Sequence, residues 1–152
     1  MFSFLKKKKV LLSPMSGKVV DITELDDPVF SGKMVGDGVG IIPEDGEVLS
    51  PVDGEIVQIF ETGHAVGIKS DDVEILIHVG MDTVELKGEG FTKHVNVGDK
   101  VKAGDKLITA DLEIIKSHGK KVDTPVVITN GKEIEKVLGH AIKGKSEIIE
   151  VK

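Results

Sequence analysis

The sequence predicts an all-β protein: an antiparallel β-sandwich or barrel made of pseudo-repeated β-motifs, with one or two very short helices. Eighteen glycines in 152 residues interrupt the chain too often for long helices and mark tight turns between short runs. Those runs are rich in branched aliphatics, as in VVDI, EIVQI and VEILIHV. An internal echo is the third observation: SPMSGKVVDI from Ser13 returns as SPVDGEIVQI from Ser50. Two copies are too few for a solenoid. They suit a pseudo-symmetric sandwich or barrel in which each copy contributes a turn followed by a strand.

Length and composition bound the rest. Residues 10–152 read as a single domain with enough chain to bury its own core, preceded by a flexible tail over residues 1–9. The opening MFSFLKKKKVLL places its basic run after the apolar residues, and no long apolar segment follows. It therefore reads as neither a secretory signal nor a membrane span; Phe2, Phe4 and Lys6–Lys9 offer only a weak contact with anionic lipid. No cysteine is present, which excludes disulfides, zinc–thiolate sites and a cysteine nucleophile and fits a cytoplasmic location. A net charge of −6 without Tyr or Trp argues against nucleic acid and points to protein partners, basic ones above all.

In chain order, Val10–Leu12 and Gly17–Ile22 read as short strands around the turn residues Ser13–Ser16. Residues 25–50 alternate apolar pairs with Gly, Pro and Asp, so loops and brief strands are expected there rather than helix. GDGVG at 36–40 lacks the last glycine of a dinucleotide fingerprint, since Ile41 stands in its place, and its glycines read as turn-like. His64–Lys69 and Val73–Val79 form the expected central hairpin around Ser70, Asp71 and Asp72. A loop of those three residues sets Lys69 opposite Val73 and His64 opposite His78, with both rings on one face. A turn one residue longer or shorter would send them to opposite faces unless a bulge restored the parity. VNVGDKVKAGDKL, residues 95–107, predicts extended pieces joined by glycine turns. Asp111–His118 is the expected helix, capped by Asp111, closed by Gly119 and carrying Leu112, Ile114 and Ile115 on one face. Pro125–Thr129 and Glu147–Val151 are expected as closing strands, with an exposed lysine-rich connection between them.

Of five histidines, His94, His118 and His140 lie in charged or glycine-flanked surroundings that predict solvated surface positions. His64 and His78 occupy apolar strand contexts and have each other as partners. No G-x-S-x-G elbow exists to supply a serine nucleophile. A zinc site would need a third ligand, for which Asp82 or Glu74 are the candidates. The other option is phosphoryl transfer, in which one neutral imidazole attacks while the second imidazole and a hydroxyl support the charge on the phosphoryl oxygens. Thr62, two residues before His64, is placed to bond its Nδ1 and set its tautomer.

From SPMSGKVVDI through PVFSGKMVGDGVGI, SPVDGEI, ETGHAVGI and EILIHVGMDTVELKGEGF to TPVVITN, the chain resembles the glucose-type enzyme IIA family of the bacterial phosphoenolpyruvate-dependent sugar phosphotransferase system. The resemblance implies a compact antiparallel β-sandwich that takes a phosphoryl group from the phosphocarrier HPr and hands it to a cysteine on the IIB domain of a sugar permease. It puts the phosphorylated histidine at His78, the phosphate-supporting histidine at His64 and the orienting threonine at Thr62. An apolar docking ring maps to Val29, Phe30, Met34, Val35, Phe60, Leu76 and Val84, with Asp27 and Asp82 facing basic partners. The family needs no cofactor and no metal, although a weak zinc site at His64 and His78 within a partner complex is compatible with it. Regulated transporters and kinases are further candidate partners. Two departures stand out. The turn at Ser70–Asp72 is a residue shorter than in enteric relatives, and Leu76 is aliphatic where those carry an aromatic.

Two other classes compete. A biotinyl or lipoyl carrier module is suggested by VNVGDKVKAGDKL and by the Lys33–Met34 pair, which lacks the expected tetrapeptide. A lysostaphin-like zinc peptidase is suggested by the His78-x-x-x-Asp82 spacing, without its companion His-x-His.

Overall fold

The computed structural model describes residues 9–152. In order the strands are β1 (Lys9–Leu12), β2 (Gly17–Asp21), β3 (Asp37–Pro43), β4 (Glu47–Leu49), β5 (Gly54–Ile59), β6 (Ala65–Ser70) and β7 (Val73–His78). They continue with β8 (Phe91–Lys93), β9 (Lys100–Val101), β10 (Lys106–Ala110), β11 (Thr124–Ile128), β12 (Ile134–Lys136), β13 (Gly139–Ala141) and β14 (Glu147–Val151). The helices are short: α1 (Pro28–Ser31), α2 (Leu112–Ser117) and 3₁₀ turns at Ile22–Glu24 and Thr83–Leu86. All paired strands run antiparallel in an eight-stranded sheet, β13-β2-β3-β11-β7-β6-β5-β9, and two three-stranded sheets, β1-β14-β12 and β4-β10-β8. The expected β-sandwich is the observed one. Among the described residues no helix is long and apolar enough to cross a membrane.

Strand alternation decides where the core lies. On the central strands Val19, Val39, Ile41, Ile75, Ile77, Val126 and Ile128 point into the main core, with Leu11, Val48, Leu107, Ile108 and Ile149 from the smaller sheets. The opposite face of the large sheet carries a second, smaller cluster. There Val20, Val127 and half-buried Leu76 meet Ile22, Leu25, Phe30 and Met81. The segment 22–35 covers this face, and Gly40 makes room for it: a Cβ at Gly40 would stand 2.4 Å from Leu25 Cδ2. Residues 37–40 of GDGVG therefore belong to strand β3, where Gly40 admits a close neighbour instead of forming a turn. One turn of helix interrupts the region expected to be loop and strand. α1 forms because Asp27 accepts from Val29 N at 3.0 Å and Pro28 occupies the first turn, where its missing N–H costs nothing.

The internal echo is a structural two-fold. Leu12 N donates to Pro51 O at 3.0 Å and, reciprocally, Leu49 N donates to Pro14 O at 2.9 Å. Within each copy the serine closes its own turn, Ser13 Oγ to Met15 O at 2.6 Å and Ser50 Oγ to Val52 O at 2.7 Å. Both hydroxyls are fully buried, so each turn leaves the core without an orphaned donor.

Elsewhere the boundaries shift. Lys9, expected in the tail, opens β1 and pairs with Val151; the rest of the expected tail and its lipid contact, residues 1–8, lie outside the described residues. The connection between the closing strands holds β12 and β13, and Lys136 pins β12 through Asp21 at 3.1 Å and Asp37 at 2.7 Å. α2 stands where expected, with Asp111 accepting from Glu113 N and Ile114 N, but Ile115 alone is buried in it.

Candidate functional site

The central hairpin turns through two residues rather than three. Ser70 pairs with Val73, Lys69 with Glu74, and Ala65 with His78. The expected register, with His64 opposite His78, is thus off by one, and on a continued pleat the two histidines would face opposite sides of the sheet. Instead β6 begins only at Ala65. His64 belongs to the turn Glu61–His64, closed by Phe60 N donating to Ala65 O at 3.1 Å. Gly63, at φ 76°, takes a left-handed conformation there, so His64 leaves the pleat and its ring swings back toward β7. Val79 N donates to His64 O at 2.7 Å, which anchors the turn to the residue after His78.

The rings meet edge to face, with centroids 5.0 Å apart and planes at 80°. All three phenylalanines among the described residues flank the pair. Phe30 lies 5.1 Å from His78, and Phe60 and Phe91 lie 5.1 and 6.4 Å from His64. His78 Nδ1 is 2.9 Å from Gly80 O, which can only accept, so Nδ1 carries the proton and Nε2 keeps its lone pair. Thr62 Oγ1 stands 2.6 Å from His64 Nδ1. Thr62 lies in the turn and not on a strand face, yet its hydroxyl reaches the nitrogen named for it.

Solvent access differs between the two. His78 is half-buried, whereas His64 is 2% exposed, sealed by Phe60, Phe91, Thr62 and the other imidazole. Of the two rings, only that of His78 is open to solvent. Burial, and then the neighbouring His78, lowers His64 to about 4. Burial also lowers His78, against the Gly80 hydrogen bond and the charges of Asp27 and Asp82, which pull the other way. Both imidazoles are therefore neutral at neutral pH. Because the unfolded chain takes up a proton on this ring at about 6.5 and the native state only at about 4, this residue's stabilisation is complete above 6.5 and is lost as pH falls from 6.5 toward about 4. The difference is worth about 3 kcal/mol. Urea unfolding at about pH 7.5 and about pH 4.5 is expected to show a stability loss that His64→Gln, which cannot titrate, reduces; equal losses in both proteins would refute the assignment.

The apolar residues divide into rim and floor. Met34, Val84 and Val29 are 76%, 53% and 45% exposed, and Phe60 stands at the edge. Phe30 is buried, with Val35 and Leu76 half-buried beside it; it forms the wall behind His78 and offers little area to a partner, because segment 22–35 folds it onto the sheet. Leu76 shares the outward face of β7 with His78, two residues on. Asp82 is exposed at the head of the 3₁₀ turn in a left-handed conformation, and Asp27 is spent partly on the α1 cap. Glu74 is near the far end of β7. Among the described residues no group of three or more His, Cys, Asp or Glu gathers as a metal site, so neither candidate third ligand joins the histidine pair. Lys33 follows α1 in a left-handed turn, 3.7 Å from Asp37, not at a hairpin tip. His94, His118 and His140 are exposed, beside Thr109, Glu89 and Glu44. Sequence reasoning missed the Gly80 carbonyl, which has no side-chain signature, and Phe91, whose place behind His64 depends on β8.

The profile of the family described as phosphoenolpyruvate-dependent sugar phosphotransferase system, EIIA 1, matches residues 9–134. A Bacillus cereus protein, a PTS system glucose-specific EIIA component, is 52% identical over 149 residues, covering 95% of this chain and 90% of that one. A relative of the same description from Buchnera aphidicola is 48% identical over 150 residues, 96% and 93% of the two chains. The solved structure of glucose permease IIA from Mycoplasma capricolum superposes with a TM-score of 0.93 at 35% identity, over 98% of this chain and 99% of that one.

Proposed function

This chain belongs to the EIIA 1 family of the phosphoenolpyruvate-dependent sugar phosphotransferase system, and from that premise we propose that it is a phosphoryl carrier of glucose-type sugar uptake. In this reading Nε2 of His78 attacks the phosphoryl group brought by phospho-HPr, forming a P–N bond as the bond to the donor breaks. A cysteine thiolate of a permease IIB domain then attacks the same phosphorus, and the P–N electrons return to Nε2. The observation that carries the reading is the fixed tautomer of His78, with Nδ1 held by Gly80 O and the Nε2 lone pair left for attack beside a second imidazole. In-line positioning and charge support supply most of the catalysis in phosphoryl transfer, so little else is required of the protein.

His64 serves this scheme as a neutral hydrogen-bond donor. If the Thr62 hydroxyl donates to Nδ1, the proton of His64 sits on Nε2, the nitrogen free to meet a phosphoryl oxygen. Burial keeps that ring neutral. The exposed rim of Met34, Val84, Val29 and Phe60 gives two successive partners a shallow apolar landing, with Asp27 and Asp82 directing basic surfaces to it. Such partners place its work in the cytoplasm. Incubation with phosphoenolpyruvate, enzyme I and HPr, followed by mass spectrometry and acid-lability mapping, is expected to find one acid-labile phosphoryl group on His78. Its absence, or its placement on an exposed histidine, would remove the proposal.

A further inference from the structure

We propose that Thr83 is a positioning residue for His78: its buried hydroxyl holds the Val79–Gly80 peptide so that the Gly80 carbonyl keeps the proton of His78 on Nδ1. The inference rests on the carrier reading of His78 for its kinetic consequence, though not for its structural one. His78 ends β7, and the chain leaves the sheet at once through Gly80, at φ 79°. Glycine has no conformational preference strong enough to hold such a turn by itself, so the direction of its carbonyl must be imposed by neighbours. Two hydrogen bonds impose it. On the downstream side Met81 N, in the same peptide unit as the Gly80 carbonyl, donates to Lys121 O at 3.0 Å. On the upstream side the Thr83 hydroxyl donates to Val79 O.

Thr83 is fully buried, and its methyl fills the remaining space, since a Cβ at Gly80 would lie 2.5 Å from Thr83 Cγ2. A hydroxyl in this place answers no helix-capping need; Asp82 heads the 3₁₀ turn and makes no side-chain cap. Replacing it with an isosteric methyl leaves Val79 O buried without this donor and frees the upstream peptide to rotate about Gly80. The carbonyl then departs from the 2.9 Å contact with Nδ1, and the imidazole gains the alternative tautomer, in which Nε2 is protonated and cannot attack.

The test is the His78 tautomer read from ¹⁵N shifts of the ring, together with the rate of phosphoryl acceptance from phospho-HPr. Wild-type and Thr83→Ser are expected to show protonated Nδ1; Thr83→Val is expected to show a mixture with protonated Nε2 and acceptance slowed roughly tenfold or more. Ser13→Ala, which deletes an equally buried hydroxyl remote from the turn, is the control for stability loss and is expected to keep both the tautomer and the rate. If Thr83→Val does not fold, Thr83→Ala carries the same two readouts with a void in place of the methyl. Unaltered Nδ1 protonation in the valine or alanine variant would overturn the inference. Absence of phosphorylation in wild-type protein would overturn the carrier reading instead, with the ring shifts still deciding the role of Thr83.

Discussion

His78→Ala is expected to take up no phosphoryl group from phospho-HPr, with the covalent adduct missing at every time and protein concentration. No other group stands ready to replace the lost nucleophile. His64 has its Nδ1 engaged by Thr62 and is sealed under Phe60 and Phe91, while the three remaining histidines lie on the surface away from the phenylalanine-flanked pair. The variant should fold. His78 sits at the open end of β7, and alanine there removes ring contacts with Phe30 and His64 but leaves the β6–β7 ladder intact. A loss of about 1–3 kcal/mol is the expected cost. The check is intact mass after the phosphorylation reaction, with the urea transition of the same sample showing a folded protein. Phosphorylation of a folded His78→Ala would move the nucleophile elsewhere.

His64→Ala is expected to separate the two half-reactions. Acceptance should continue within about tenfold of wild-type, whereas delivery to a IIB cysteine should fall by about 10²–10³, the usual effect of deleting one donor to a developing oxyanion. The asymmetry follows from the nucleophiles. In the first step a neutral imidazole approaches the phosphoryl group; in the second an anionic thiolate approaches it, and the repulsion between sulfur and the phosphoryl oxygens is largest without a nearby N–H. His64 is 5.0 Å from His78, centroid to centroid, and held neutral by burial, so it can supply that N–H as a neutral donor rather than as an imidazolium acid. Single-turnover transfer from pre-phosphorylated protein measures the second step alone. Delivery at the wild-type rate would strip His64 of its role.

Much of the site was legible because its signals are local. Two imidazoles in apolar surroundings on either side of a polar turn, and a threonine two residues before one of them, are visible in the string. So was the Asp111 cap of α2, because a cap needs only a side chain and the amides two and three residues on. The hairpin register was not legible in the same way. Ser70 looks like a turn residue by composition, but its hydroxyl bonds Asp53 O at 2.6 Å and accepts from Lys9 Nζ at 2.8 Å, contacts spanning 17 and 61 residues that hold it in the ladder opposite Val73.

The sequence by itself determined the strand-built class, the two-fold echo and the side chains of the candidate site, since alternation, turn residues and side-chain chemistry are properties of neighbours along the chain. Tertiary structure alone decided that His64 is sealed while His78 stays half open, that Phe30 is wall rather than rim, and that a backbone carbonyl fixes which ring nitrogen of His78 carries the proton. Those facts depend on which distant segment covers each face of a sheet. A strand presents both faces with the same periodicity whichever one is later covered, and a carbonyl has the same chemistry at every residue until folding aims it.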